Sequence, residues 1–506
     1  MTGPESPLAD ETTEPFRMAK LGKHSAIYGA GILLSKAVAF LMLPVYTRYL
    51  EPSDYGVLHL VMMTIEVVSI ASGSWLARGI FRYYHKETTP EGKKRVLSTA
   101  LVVLAGTYAV GAVVTALLAP WIAYTVIGPE PEHILTVRLA AASFGFDSLV
   151  LVPVAFLRLR HQSGTFVAVN AVKLVLHVIC NVIFIIPLGM GVNGVVLSGL
   201  LTSMLVGSWL SWYLLRETGL GFSRRSARDL FRFGAPLMGV QIASVVLTFG
   251  DRYFLRQAGD TSAVGIYGLA YQFGMLPVSL GYMPFSQVWD PLRFQLAQRP
   301  DRDALYSRGF VYMSLMMITM TVLIALFVGD FLRIVARPAY FQASYLVPVI
   351  LMAYVVGSWT AFSNLGIFMR ERTEWFTLAN WVAALVALAG YVFLIPRFLA
   401  WGAAFATVVA FVIRHIMVYY ISQRLWPIKY EWGPVLRLCG IATAVVLMGI
   451  LAPRLPIVAS VLLHVGLFAT YLAGVWLGNV LRPADRRLIS RMVRSPSTVR
   501  AVFLAK

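Results

Sequence analysis

Ionisable side chains occur in this chain where the surrounding sequence is almost wholly apolar. Lys36, Glu66, Asp147, Lys173 and His177 each fall near the middle of a long apolar stretch in the first half of the chain. A charge at the centre of a bilayer costs about 2.5 to 3.5 kcal/mol on insertion scales, so such groups face a cavity or a partner. Lys36 with Glu66, and Asp147 with Lys173, are close enough in depth to pair as structural ions or to share a polar cavity. His177 reads as a satisfied core histidine. The second half of the chain offers only the uncharged Gln241, Thr248 and Gln272 at comparable depth, with Arg414 and His415 later on, for which pairing or an inner-leaflet position is expected. An Asp-Arg pair stands at Asp251-Arg252, straight after an apolar stretch. Arg78 lies near a stretch end, where its stem can reach the interface.

The elements that carry these residues are long. Apolar segments fall at about 25–47, 56–80, 96–119, 136–157, 165–187, 192–215, 232–250, 264–288, 309–329, 345–368, 375–395, 399–421, 436–452 and 457–480, each near the length of about 20 residues that crosses a bilayer. With 58% hydrophobic and 13% charged residues and a mean hydropathy of +0.72, the expectation is an all-α integral membrane protein of about fourteen transmembrane helices. The first segment is too long for a signal-peptide core and reads as a retained span.

Lysine and arginine exceed aspartate and glutamate by 19, which in a soluble protein would raise nucleic acid as a partner. Here the excess follows the membrane. Of the 43 basic residues, 31 fall on one side of the spans and 8 on the other, with Lys36, Arg78, Lys173 and Arg414 inside them. Positive charge is retained in the cytoplasm, so both termini are expected there, and no nucleic-acid partner is. Cys180 and Cys439 both sit in apolar segments, so neither a disulfide nor a metal site is expected. The short outer loops leave no room for a catalytic module, and no enzyme is expected. The tail arginines Arg486, Arg487, Arg491, Arg494 and Arg500 suit anionic membrane lipids or serve as a topology signal.

The sequence also repeats. Arg160, Phe166 and Asn170 recur as Arg370, Phe376 and Asn380; Ile186-Pro187 with Gly194 recurs as Ile395-Pro396 with Gly402. Equivalents lie six spans apart, which implies parallel repeats. The expected organisation is a cytoplasmic tail (1–24), a lobe of six spans (25–215), a cytoplasmic linker (216–231), a second lobe (232–421), a helix pair (436–480) and a basic tail (481–506).

Two hairpins punctuate the lobes. The first is Leu43-Pro44-Val45-Tyr46-Thr47-Arg48-Tyr49-Leu50 with Tyr55-Gly56. The second is Gly250-Asp251-Arg252-Tyr253-Phe254-Leu255, followed by Val264-Gly265-Ile266-Tyr267 and Trp289-Asp290-Pro291. With the Ile-Pro and glycine pairs, they resemble the polysaccharide transporter branch of the multidrug, oligosaccharidyl-lipid and polysaccharide (MOP) exporter superfamily, the O-antigen and oligosaccharide flippases, across about residues 20–480. The resemblance implies a V of two lobes around a cavity in the bacterial cytoplasmic (inner) membrane. It implies a cargo of polyprenyl-pyrophosphate-linked oligosaccharide, turned between leaflets for cell-surface polysaccharide such as lipopolysaccharide, with glycosyltransferases or a polymerase of that pathway as partners. It implies no cofactor beyond H+ or Na+ coupling. In that frame Lys36 attracts the pyrophosphate, with Arg78, Gln241 and Gln272 as further cavity contacts. Glu66 and Asp147, with Lys173, are the ion-coupling candidates. Arg48, Asp251, Arg252 and Asp290 are a gate on the outward side or structural anchors.

Other classes remain open. A multidrug or cation antiporter of the sister branch would carry twelve spans; a membrane glycosyltransferase or polymerase would need acids on a sizeable outer loop; a scaffold for glycan enzymes would not need the midplane charges.

Overall fold

A computed structural model describes residues 40–160, 162–453, 455–480 and Arg486. Among these every regular element is helical. In chain order the helices are α1 (Leu43–Tyr49), α2 (Pro52–Ala71), α3 (Leu76–Lys86), α4 (Pro90–Leu117), α5 (Glu132–Leu159), α6 (Ser163–Ile185) and α7 (Gly191–Thr218). Then follow α8 (Arg224–Ala258), α9 (Thr261–Gly274), α10 (Met283–Leu296), α11 (Arg302–Val335), α12 (Ala343–Ser363), α13 (Thr373–Leu425), α14 (Trp432–Leu451) and α15 (Ile457–Leu477). Short turns of helix fill some of the gaps between them.

Eleven of the described helices are long and apolar enough to cross a membrane, or twelve when the bent halves of α8 are taken as one span. The expected fourteen is not reached there: most of the first expected span lies outside the described residues, and the expected spans 375–395 and 399–421 are counted as the one helix Thr373–Leu425. A polypeptide of this kind is a multi-pass membrane protein: helices satisfy their own backbone groups where no water is present to do so.

Local chemistry sets the helix boundaries. Thr89 caps α4, accepting the Gly92 N–H at 3.1 Å ahead of Pro90. Asp260 does the same for α9, accepting the Ala263 N–H at 2.8 Å. The helix α13 is continuous by hydrogen bonding but passes through Leu399 at φ 48° and ψ −125°. Pro396 lies three residues before; it lacks the N–H that would sustain the helix, and the chain turns there between two arms. Residues 224–231, expected within a linker, are instead the first turns of α8. The Arg-rich run is the polar start of an amphipathic helix, whose halves Arg224–Ala235 and Met238–Ala258 meet at a bend of 47°.

The helices gather into two compact units, divided after Leu50, Gly56 and Val245. The first holds the described residues up to Leu50 together with Val57–Val245. Its core joins α4 to α5 through Tyr108 stacked on Phe144 at 4.3 Å between ring centroids, and α5 to α7 through the Ser211 hydroxyl donating to the Leu149 carbonyl at 2.9 Å. The second holds Glu51–Gly56 and the chain from Val246 on. Its core is an aromatic stack in which Trp289 lies against Phe362 at 4.6 Å and edge-on to Tyr306 at 5.2 Å. The pair α14 and α15 packs on α11 in this unit, where Asp330 accepts from Ser460 Oγ at 2.6 Å and meets His464 Nδ1 at 2.6 Å.

The repeat reappears as matching local geometry. Asn170 donates to the Phe166 carbonyl at 2.8 Å, and Asn380 to the Phe376 carbonyl at 2.7 Å. Arg160 pairs with Glu217, while Arg370 donates to the carbonyl of Leu425. Gly194 of α7 packs against Phe184 of α6, and Gly402 packs against the Leu394 carbonyl across the kink of α13. Within the second unit, Gly56 of α2 and Gly265 of α9 lie against each other: a Cβ on Gly56 would overlap the Thr261 carbonyl, and one on Gly265 that of Pro52. Only glycine permits this approach of two backbones.

Candidate functional site: polar groups within the spans

In the first unit the carboxylate of Asp147, on α5, accepts from Ser203 Oγ of α7 at 2.6 Å. Lys173, on α6, lies within electrostatic reach of both Asp147 and His177. Tyr108, on α4, shares a hydrogen bond of 3.2 Å with Ser69 of α2 and lies within reach of both Asp147 and Glu66. Five helices thus contribute to one polar file: Glu66 and Ser69 from α2, Tyr108 from α4, Asp147 from α5, Lys173 from α6 and Ser203 from α7.

The residue types suit movement of a small cation or proton. Two carboxylates supply exchangeable charge, hydroxyls from Ser69, Tyr108 and Ser203 both donate and accept, and the lysine biases the site against holding two positive charges at once. Glu66 is exposed, whereas Asp147 is half-buried. Three of the expected residues, Glu66, Asp147 and Lys173, are therefore brought into one neighbourhood. Tyr108, Ser69 and Ser203, which connect them, carried no signal in the sequence; a hydroxyl inside an apolar run is too common to single out.

The remaining cargo-contact expectations are placed separately. Lys36 lies outside the described residues. Arg78 is exposed on α3, whose other face packs with the start of α8: Trp75 meets Phe231 edge-on at 5.7 Å, and Arg82 lies 4.8 Å over the Phe233 ring. Gln241, on α8, is half-buried with its side-chain carbonyl lacking a hydrogen-bond partner among the described residues. Gln272, on α9, is half-buried in the second unit.

The hairpin residues do not share one environment. Arg48 is exposed. Asp290 is exposed and 3.6 Å from Arg293, which donates onward to Asn364 Oδ1 at 2.8 Å. Asp251 and Arg252 are enclosed instead, at 0% and 2% exposure. Adjacent residues on a helix normally point apart. Arg252 folds back along α8 to donate from Nη1 to the Thr248 carbonyl at 2.6 Å and to Asp251 Oδ1 at 3.0 Å. The other carboxylate oxygen accepts from Tyr267 at 2.7 Å, and the guanidinium lies 4.5 Å over the Tyr271 ring. This position at a span end suggested an interface. The surrounding tyrosines of α9, α12 and α13 make it an interior pair of the second unit.

Comparison with known proteins places these residues in a family. A model described as polysaccharide biosynthesis protein matches residues 21–297, more than half of the 506 residues and including both hairpins. No curated protein sequence matches the chain. Among solved structures the chain is similar to the lipid II flippase MurJ in an inward closed conformation, with a TM-score of 0.72 at 12% identity over 91% of this chain and 99% of that one. It is also similar to a multidrug resistance MATE family transporter of the MOP superfamily in an inward-facing conformation, with a TM-score of 0.56 at 16% identity over 79% of this chain and 93% of that one. A MOP superfamily transporter from Pyrococcus furiosus gives a TM-score of 0.54 at 14% identity, over 82% and 98%. At these identities the likeness is one of fold, and it is the all-helical MOP fold that the resemblance implied. The family match, running through both hairpins, shows that the chain belongs to the polysaccharide biosynthesis protein family, built on the fold of MOP-superfamily transporters.

Proposed function

We propose that the protein carries a polyprenyl-pyrophosphate-linked oligosaccharide across the bacterial cytoplasmic membrane by alternating access, with both termini in the cytoplasm. The observation that carries this reading is the coincidence of a polysaccharide-biosynthesis family with a fold also found in a lipid II flippase. A sugar head group needs polar surroundings during passage. Lys36 and Arg78 would attract its pyrophosphate, and Gln241 and Gln272 would hydrogen-bond it. Coupling would run through the file of Glu66, Tyr108, Asp147 and Ser203, where exchange of H+ or Na+ changes the charge balance against Lys173. Coupling requires that ion or proton binding at these carboxylates differ between the two conformations.

The test uses vesicles holding the full-length protein and a fluorescent polyprenyl-pyrophosphate oligosaccharide in both leaflets. A membrane-impermeant glycosidase outside would remove sugar from the inner pool over time when the protein is present, and from the outer pool alone when it is absent. Equal digestion with and without protein sinks the proposal. Movement of ethidium under a cation gradient in those same vesicles would favour the antiporter reading instead.

A further inference from the structure

The second unit contains a charge that its own residues leave unbalanced. Its interior cluster is built from Asp251 and Arg252 on α8, Tyr267 and Tyr271 on α9, Tyr354 on α12, and Tyr391, Asn380 and Arg414 on α13. The only carboxylate among them is Asp251, and Arg252 and Tyr267 already use both of its oxygens. Arg414 is thus a second guanidinium with no acid facing it among the described residues. Its Nη1 donates to Asn380 Oδ1 at 3.4 Å, the long end of a hydrogen bond. Its face lies 4.4 Å over the Phe411 ring. Its Nε, out of reach of solvent, has no partner among the described residues. The neighbouring His415 is held among Trp359, Tyr419 and Trp432 rings, its own Nδ1 without a partner among the described residues, and contributes no negative charge.

A ring face and an amide oxygen are neutral acceptors. A cation enclosed within a membrane span is instead normally paired, because leaving it alone forfeits its hydration without recompense. We propose that a small monovalent inorganic anion of the halide class binds beside Arg414 and completes the cluster. The donor set suits that chemistry: a guanidinium offers five N–H groups, and Tyr354, hydrogen-bonded to Tyr271, lies within electrostatic reach of both Arg414 and Arg252. Gly357, on α12, faces the same guanidinium: a Cβ there would lie 3.1 Å from Phe411 and 3.6 Å from Arg414 Nη2, so a residue without one leaves that edge of Arg414 uncovered. A single uncompensated charge matches a monovalent ion better than a phosphate. Arg414 as a whole is only half-buried, so an ion can reach it. The site lies in the unit that lacks the Glu66–Asp147 file, and it is independent of the transport reading.

The experiment compares thermal unfolding of the purified full chain in chloride and in gluconate at matched ionic strength. Chloride and bromide are expected to raise Tm saturably, as a ligand that binds only the folded state must. Arg414→Gln should unfold in gluconate much as the wild type does and show no halide response. Arg414→Lys, which keeps the charge but loses the planar fork, should respond only at higher halide concentration. Crystals grown in bromide should show an anomalous peak beside Arg414. The proposal is overturned if the wild type unfolds at one temperature in both salts, if Arg414→Gln retains the halide response, or if bromide binds only elsewhere. Should Arg414→Gln fail to fold, the salt comparison and the bromide peak on the wild type decide alone.

Discussion

Replacing Asp251 with alanine probes the interior pair of the second unit. The substitution would leave Arg252, 2% exposed, with the Thr248 carbonyl and aromatic rings as its remaining partners, and would take from Tyr267 the oxygen it donates to at 2.7 Å. Removing one member of a buried ion pair costs about 3 to 5 kcal/mol, because the other charge stays behind unpaired. The tyrosine contact alone contributes less: hydrogen bonds between membrane helices average about 0.6 kcal/mol and reach about 1.7. Asp251→Ala is therefore expected to destabilise by about 3 to 5 kcal/mol, and Tyr267→Phe by less than about 2 kcal/mol. The double substitution Asp251→Leu with Arg252→Met removes both charges and fills the space with apolar side chains; a pair exchanged in this way is often neutral. It should be more stable than Asp251→Ala, giving a large coupling energy in a double-mutant cycle. Equilibrium unfolding of the full chain in mixed micelles, followed by tryptophan fluorescence, measures these proteins together with the single variants Asp251→Leu and Arg252→Met that close the cycle. A cost for Asp251→Ala below about 1 kcal/mol, the range of an exposed pair, would refute the reasoning, as would a double variant less stable than either single one.

Gly265→Ala and Gly56→Ala should each cost at least the 1 to 3 kcal/mol typical of overpacking, since each new Cβ meets backbone rather than a movable side chain; Gly433→Ala, with nothing within 4 Å, is the control, and thermal unfolding compares the three. Glu66→Gln should preserve protein abundance while transport in vesicles loses its dependence on an imposed ion gradient; retained dependence removes Glu66 from coupling. Ser203→Ala strips the 2.6 Å donor from Asp147 and should shift the pH at which transport is half-maximal without abolishing it, read from a pH series of initial rates. Lys36→Ala should abolish glycan export at unchanged membrane abundance, measured by surface glycan staining.

The long helices and their order could be read from the sequence because apolar runs of spanning length have few other uses. The hairpin at Gly56 and the repeat around Asn170 and Asn380 were likewise visible, since both rest on residue identity at fixed spacing. Less visible was anything that depended on which neighbour a helix face meets. Asp251 and Arg252 stand at the end of an apolar run, and only the surrounding tyrosines, distant in sequence, make that place an interior. Arg414 had no interpretable context until Asn380, Phe411 and Tyr354 were seen around it. The start of α8 at Arg224 was hidden by its charge, because a basic run reads as a loop until its apolar face is paired with Trp75 and Gly79 of the α3 region.

The tether between α11 and α15 also bears on how the chain is made. Asp330 is followed by its partners Ser460 and His464 only 130 and 134 residues later. At a synthesis rate of about 5 to 20 residues per second, that carboxylate spends roughly 7 to 26 s in the membrane before α15 arrives to cover it. During that interval the nascent protein carries this acid without the hydroxyl and imidazole that meet it in the finished fold. The last helix pair therefore completes the surroundings of a residue laid down much earlier: a chain ending before residue 457 would lack both side chains that cover Asp330.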